Sequence, residues 1–322
     1  MAHNRGRLDD ALARCLDDRL SRKRLRKLTI NPEGAVDFSS NTYLGLSSQP
    51  AVRRAFFARL QSAPPGLLLG SGGSRLLDGN STFATDVEKA VTAFHRSPSG
   101  LLFTSAMDAN VGLFGCVPQP GDTILYDELI HASIHDGMRL GRASTLPFAH
   151  SRVWENSPEP AAAGKLKPLE TVIKSLLQGP DGSLFASGER NVFIAVEGVY
   201  SMDGDVPPLL DIVECVERCL PQGNGYVIVD EAHSNGVFDN RGRGLVCELG
   251  LEERVWARVM GFGKAMGCSG GKRPQLLSAG WNIPNTTQRN CLVLAHHPRL
   301  PDQLRPHFHL HHCLVVPVSC QH

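Results

Sequence analysis

Tyr226-Val227-Ile228-Val229-Asp230-Glu231-Ala232-His233 is the stretch whose reading decides the fold. Four largely apolar residues without polar alternation read as a strand buried on both faces, with acids and an imidazole at its end. Outward from it the same pattern recurs. Leu101–Phe103, Thr123–Tyr126, Asn191–Val196 and Arg258–Met260 are further apolar strands. Helical stretches separate them at 105–113, 133–140 and 207–220, the last opened by Pro207-Pro208. The alternation predicts an α/β fold, with a mostly parallel sheet covered by helices on both faces. Ligands of such sheets bind at the carboxyl ends of the strands. Ser105, Asp108, His131, Glu197, Ser201, Asp230, His233 and Lys264 gather there.

Toward the N-terminus, Leu8, Ala11, Leu12, Cys15, Leu16 and Leu20 share one stripe and predict a helix running to about Lys27. Val36–Phe38 reads as a short strand, Gly70–Ser74 as a glycine-rich loop, and Phe83–Phe94 as a helix capped by Asn80 or Ser81. Residues 151–190, rich in Pro, Gly, Ala and Ser, read as a surface excursion. The net charge of +1 gives no electrostatic case for a nucleic-acid partner. No apolar run has membrane-spanning length. Acids among the first thirty residues fit neither a transit peptide nor a secretory signal. Nine scattered cysteines read as reduced thiols in a reducing compartment, cytoplasmic or organellar. Cys215 and Cys219 have no further ligands nearby in sequence, so no metal site is expected.

Asp230, His233 and Lys264 carry the chemistry together. Alone, a strand-end Asp with a His three residues on serves equally as a helix cap, and a Lys between glycines as a solvated turn. Combined on adjacent strand ends, they are what a pyridoxal phosphate (PLP) site needs: a carboxylate beside the ring nitrogen and a lysine to hold the aldehyde as a Schiff base.

Six ordered motifs then carry a resemblance: Phe38-Ser39-Ser40-Asn41-Thr42-Tyr43-Leu44-Gly45-Leu46, Gly70-Ser71-Gly72-Gly73-Ser74-Arg75, Asp127-Glu128-Leu129-Ile130-His131-Ala132-Ser133, Glu197–Asp205, Asp230–His233 and Phe262-Gly263-Lys264. Over about residues 8–271 the chain resembles the α-oxoamine synthases, a family of fold-type I PLP enzymes. The resemblance implies an N-terminal helix and arm over 1–60, a PLP-binding large domain over 61–271, and a homodimer without membrane or nucleic-acid partners. It implies an acyltransferase joining an amino acid to an acyl-CoA with decarboxylation. L-alanine and pimeloyl-CoA, the biotin-synthesis pair, are the expected substrates; glycine or serine with another acyl-CoA, or a non-catalytic fragment, are the alternatives. Lys264 would be the Schiff-base lysine and proton carrier, and Asp230 the ring-nitrogen partner. His233 would meet the phenolic oxygen, while His131 stacks on the ring and contacts the substrate carboxylate. Ser201 would lie near the ring, Ser105-Ala106-Met107 would cradle the phosphate, and Arg26 and Asn41 would contact substrate.

The chain departs from the family's pattern at three places. Ala106 replaces a usual glycine. Gly261 stands where a phosphate-binding Thr or Ser is expected. Residues 272–322 show neither the family's further sheet nor its small C-terminal domain, and they hold seven of the thirteen histidines. Read one base later, Leu300–His307 can be encoded by codons giving Phe-Leu-Ile-Asn-Tyr-Ala-Arg-Thr, which resembles the family's own segment after the lysine. The expectation is that 272–322 is an out-of-frame tail rather than a domain, leaving the chain truncated and inactive. The rival reading of His307, His309, His311 and His312 is a metal tract.

Overall fold

The computed structural model describes residues 6–26, 28, 30, 32–66, 70–156, 166–268 and the backbone of 291–295. The histidine tract at 307–312 lies outside these residues. Chain contacts divide the protein into two units, the first ending at Ser40.

In the first unit α1 spans Arg7–Ser21, with Leu8, Leu12, Leu16 and Leu20 all more than half exposed. It stops short of the expected Lys27. Lys23 turns left-handed at φ 55°, and the Arg24 and Lys23 amides reach back to the carbonyls of Arg19 and Leu20, closing the helix end. Val36–Phe38 is not a strand. Asp37 Oδ1 accepts the backbone N–H groups of Ser39 at 3.1 Å and Ser40 at 3.0 Å, so the segment closes as a side-chain-capped turn and pairs with no other strand among the described residues.

The second unit opens with a 3₁₀ turn at Leu46–Ser48, α2 (Pro50–Gln61) and α3 (Thr82–Phe94), whose Ala84 amide is capped by Ser81 Oγ at 3.1 Å. Seven strands follow: β1 (Ser99–Phe103), β2 (Thr123–Asp127), β3 (Ser144–Phe148), β4 (Val192–Glu197), β5 (Gly225–Asp230), β6 (Ala257–Gly261) and β7 (Cys291–Ala295). Their order in the sheet is β1-β7-β6-β5-β4-β2-β3, parallel from β6 to β3. Helices α4 (Ala106–Cys116), α5 (Ala132–Leu140), α6 (Leu169–Leu177), α7 (Gly182–Ala186), α8 (Leu209–Cys219) and α9 (Leu245–Glu248) connect them.

β4 shows why its sequence is continuously apolar. Val192, Ile194 and Val196 face one core with Leu169, Ile173, Ile212 and Val216; Phe193 and Ala195 face the other with Leu113, Phe114 and Ile134. Alternate residues go to opposite faces, and both faces are covered.

Two further expectations are corrected. Residues 151–190 are not all surface: α6 and α7 lie there, with Leu169 and Ile173 fully buried and Phe185 nearly so. Their helical pattern is short and lies beside a Pro- and Gly-rich run, which masked it. Residues 272–322 were expected to add no sheet, yet β7 pairs antiparallel with β1 on one side and β6 on the other. Cys-Leu-Val-Leu-Ala is too short to show a period by itself. No helix among the described residues is long and apolar enough to cross a membrane.

Candidate active site

The register of the sheet sets Glu197, the last residue of β4, beside Asp230, the last of β5. Both side chains are buried. Asp230 Oδ2 accepts from Asn110 Nδ2 on α4 at 2.7 Å, and its Oδ1 accepts the Ala232 N–H at 2.9 Å. The carboxylate is therefore aimed by one side chain and one backbone group. Lys264, half-buried, follows β6 by three residues. Its charge reaches Glu197.

Glu197 is pushed up to about 8, first by burial and then by the negative Asp230, against the His131 backbone N–H and the Lys264 charge, which both favour its ionised form. A raised carboxyl keeps its proton in the folded protein while the unfolded chain has lost it. Its stabilisation is complete below the ordinary value near 4.5 and is lost as pH rises through about 8. Glu197→Gln removes that titration. Thermal melts of both proteins should diverge in favour of the variant from pH 5 to 8 and run parallel above; a constant gap would contradict the assignment.

His131 caps the N-terminus of α5. Its Nδ1 accepts the Ser133 N–H at 3.2 Å and lies 2.7 Å from Ser133 Oγ, leaving the ring exposed. His233 is buried, and its Nδ1 lies 2.6 Å from the hydroxyl of Tyr43, which donates more weakly to Asn41 Oδ1 at 3.4 Å. Asn41 is exposed. Ser201 sits exposed in the turn after β4, which Tyr200 N–H to Asp205 O at 3.0 Å closes. Arg26 is exposed in the first unit, just beyond α1.

Ser105 is the N-cap of α4. Its Oγ accepts the Asp108 N–H at 3.0 Å and donates to Asp108 Oδ2 at 2.7 Å, as does Thr104 Oγ1. The amides of Ala106 and Met107 are first-turn groups that no intrahelical carbonyl satisfies. The alanine at 106 leaves this backbone donor pair intact.

Gly261 has a packing reason. A Cβ there would meet Ala232 Cβ at 2.9 Å and Ala232 Cα at 3.1 Å, so β6 and the turn after β5 approach too closely for a side chain. The phosphate contact expected from a hydroxyl at this position is traded for close packing.

These residues fit PLP: a buried, oriented carboxylate, an exposed flat imidazole, a lysine on the adjoining strand exit and helix-end amides for an anion. Asn110 Oδ1 is in addition a buried acceptor without a partner among the described residues. When bound, PLP supplies an electron sink for the substrate's α-carbon. No group of three or more metal-ligating side chains occurs among the described residues.

Sequence reasoning missed Asn110 and His150. A lone Asn inside the apolar face of α4 was the available signal for the first. His150 Nδ1 bonds Asp127 Oδ1 at 2.8 Å and its Nε2 bonds Asp205 Oδ2 at 2.7 Å, with its ring edge-on to Tyr200 at 4.5 Å. It joins the turn carrying His131 to the turn carrying Ser201. Burial disfavours its charge, but hydrogen bonds to the two carboxylates outweigh this and raise its pKa. The stabilisation from the protonated form is complete below the ordinary value near 6.5 and fades as pH rises through the raised one. His150→Asn should therefore lower the melting temperature more at pH 6 than at pH 9. An equal loss at both would refute the charged bridge.

The family described as aminotransferase class I and II matches residues 33–272. The 8-amino-7-oxononanoate synthase of Emericella nidulans is 54% identical over 264 residues, covering 82% of this chain and 60% of that protein. Aminoacyl transferase sphA of Aspergillus fumigatus is 36% identical over 261 residues, 79% of this chain and 52% of that one. The chain thus spans between about half and three-fifths of these relatives. Among solved structures, serine palmitoyltransferase from S. paucimobilis, holding PLP and myriocin, superposes with a TM-score of 0.67 at 25% identity, covering 94% of this chain and 67% of that one.

Proposed function

Because the chain belongs to the class I and II aminotransferase family, on its α-oxoamine synthase branch, we propose that it is a PLP-dependent acyltransferase condensing L-alanine with pimeloyl-CoA, releasing CoA and CO2. The observation that carries this reading is the 54% identity to 8-amino-7-oxononanoate synthase across the stretch that builds the site. The active form is a homodimer.

In this reading Lys264 Nζ holds the cofactor aldehyde and moves the proton at the substrate α-carbon. Asp230, aimed by Asn110, keeps the ring nitrogen protonated. His233, braced by Tyr43, meets the phenolic oxygen. His131 lies on the ring face and donates to the substrate carboxylate. Ser201 borders the ring, and Ser105, Ala106 and Met107 bind phosphate through the start of α4. Arg26 and Asn41 contact substrate. Residues 272–322 are an out-of-frame stretch.

CoA release is the test. Two proteins are compared: residues 1–322, and a form continued in the alternative frame after Gly271. L-alanine with pimeloyl-CoA should give turnover in the second and almost none in the first. Comparable turnover by both would sink the frame reading. Release only with glycine or serine and another acyl-CoA would favour the relation to sphA and serine palmitoyltransferase.

A further inference from the structure

Between Asp230 and His131 runs a buried chain of polar atoms whose hydrogens can all be placed by counting. Asn110 Nδ2 lies 2.7 Å from Asp230 Oδ2 and 3.0 Å from Ser133 Oγ. Both Asn110 and Ser133 are 1% exposed, so water does not compete. An amide nitrogen has two hydrogens and accepts nothing, so it donates both ways. The flipped amide would set Oδ1 against the Asp230 carboxylate, acceptor against acceptor. Ser133 Oγ therefore receives a hydrogen from Asn110. The Ser133 backbone N–H donates to His131 Nδ1 at 3.2 Å, which makes that nitrogen an acceptor. The single hydroxyl hydrogen of Ser133, 2.7 Å away, therefore points at the same nitrogen. A ring nitrogen receiving two donors carries no proton.

We infer that Ser133, oriented by Asn110, locks neutral His131 in the form protonated at Nε2, and that Asn110, donating in both directions, separates Asp230 from His131 so that no proton can pass between them. Asn110 and Ser133 are positioning residues. Nδ1 is tied inward, and the exposed ring offers Nε2–H as a donor to an anionic group. Resting on the function proposed above, that group is the carboxylate of the amino-acid substrate. The separation also gives the two groups opposite duties: Asp230 accepts from Asn110, while His131 donates outward through Nε2.

The test needs neither cofactor nor substrate, so its failure is distinct from failure of the enzymatic reading. The full chain is labelled with ¹⁵N-histidine, and long-range ¹H–¹⁵N spectra assign His131 by its loss in His131→Gln. The parent should show Nδ1 unprotonated and Nε2 protonated. Ser133→Ala removes the hydroxyl donor and should raise the ratio of Nδ1–H to Nε2–H forms about threefold to tenfold, the size that one hydrogen bond implies. Ser133→Thr should restore the parent ratio, and Asn110→Ala should shift it less than Ser133→Ala but in the same direction. A protonated Nδ1 in the parent overturns the inference even if no variant folds. So does a ratio unmoved in Ser133→Ala.

Discussion

Lys264→Ala is expected to abolish covalent attachment of PLP while leaving the fold intact. After incubation with PLP and reduction with borohydride, the parent should gain the mass of one reduced cofactor; the variant should gain none. The loop after β6 presents the lysine beside the carboxyl ends of β4 and β5, and its charge is felt at Glu197. The substitution therefore has a second signature. Removing the cation takes away one of the influences that favour ionised Glu197, so the pH at which that carboxyl titrates should move further up. Affinity for the cofactor should fall at least tenfold, about 1.4 kcal/mol. A variant that still takes up borohydride-fixed PLP would place the attachment elsewhere and unseat the whole assignment around Asp230.

Val293→Pro is expected to be the most damaging single change to stability outside the hydrophobic cores. Val293 is the middle residue of β7, opposite Leu101 of β1 and Val259 of β6. A strand with neighbours on both edges has no side on which a missing N–H can face water, and proline belongs only at edges and bulges. Without β7, β1 pairs with no other strand among the described residues, since the strand order joins it through β7. The cost should be on the order of 3 kcal/mol, the size of an interior proline elsewhere in regular structure. With an unfolding entropy of about 2.1 cal/mol/K per residue, that is a fall of roughly 4 °C in Tm for a chain of this size. An unchanged melting curve would mean that Cys291–Ala295 is no part of the folded sheet.

Much of this protein was legible in its sequence, for reasons visible at particular residues. The strands β4, β5 and β6 are apolar throughout because both faces of a parallel sheet are covered, so Val192–Val196 and Tyr226–Val229 announce themselves. Ser81 and Ser105 mark helix starts because their side chains satisfy first-turn amides. Strand-end Asp230, His233 and Lys264 could be placed together because parallel strands deliver their carboxyl ends to one edge. What remained hidden depended on partners far along the chain. Val36–Phe38 has strand-like residues but pairs with no strand among the described residues, and the Asp37 side chain takes the Ser39 and Ser40 amides instead. β7 needed the gap between β1 and β6. Asn110 is an unremarked polar residue in an apolar helix until Asp230, 120 residues later, comes within hydrogen-bond distance. His150 is one histidine of thirteen until Asp127 and Asp205 close on its two nitrogens. Local pattern determined the elements and the chemical cast, because propensity and periodicity act over a few residues. Only tertiary structure decided which polar groups aim, charge and separate the others, because burial and hydrogen bonding are settled by whatever the fold brings alongside.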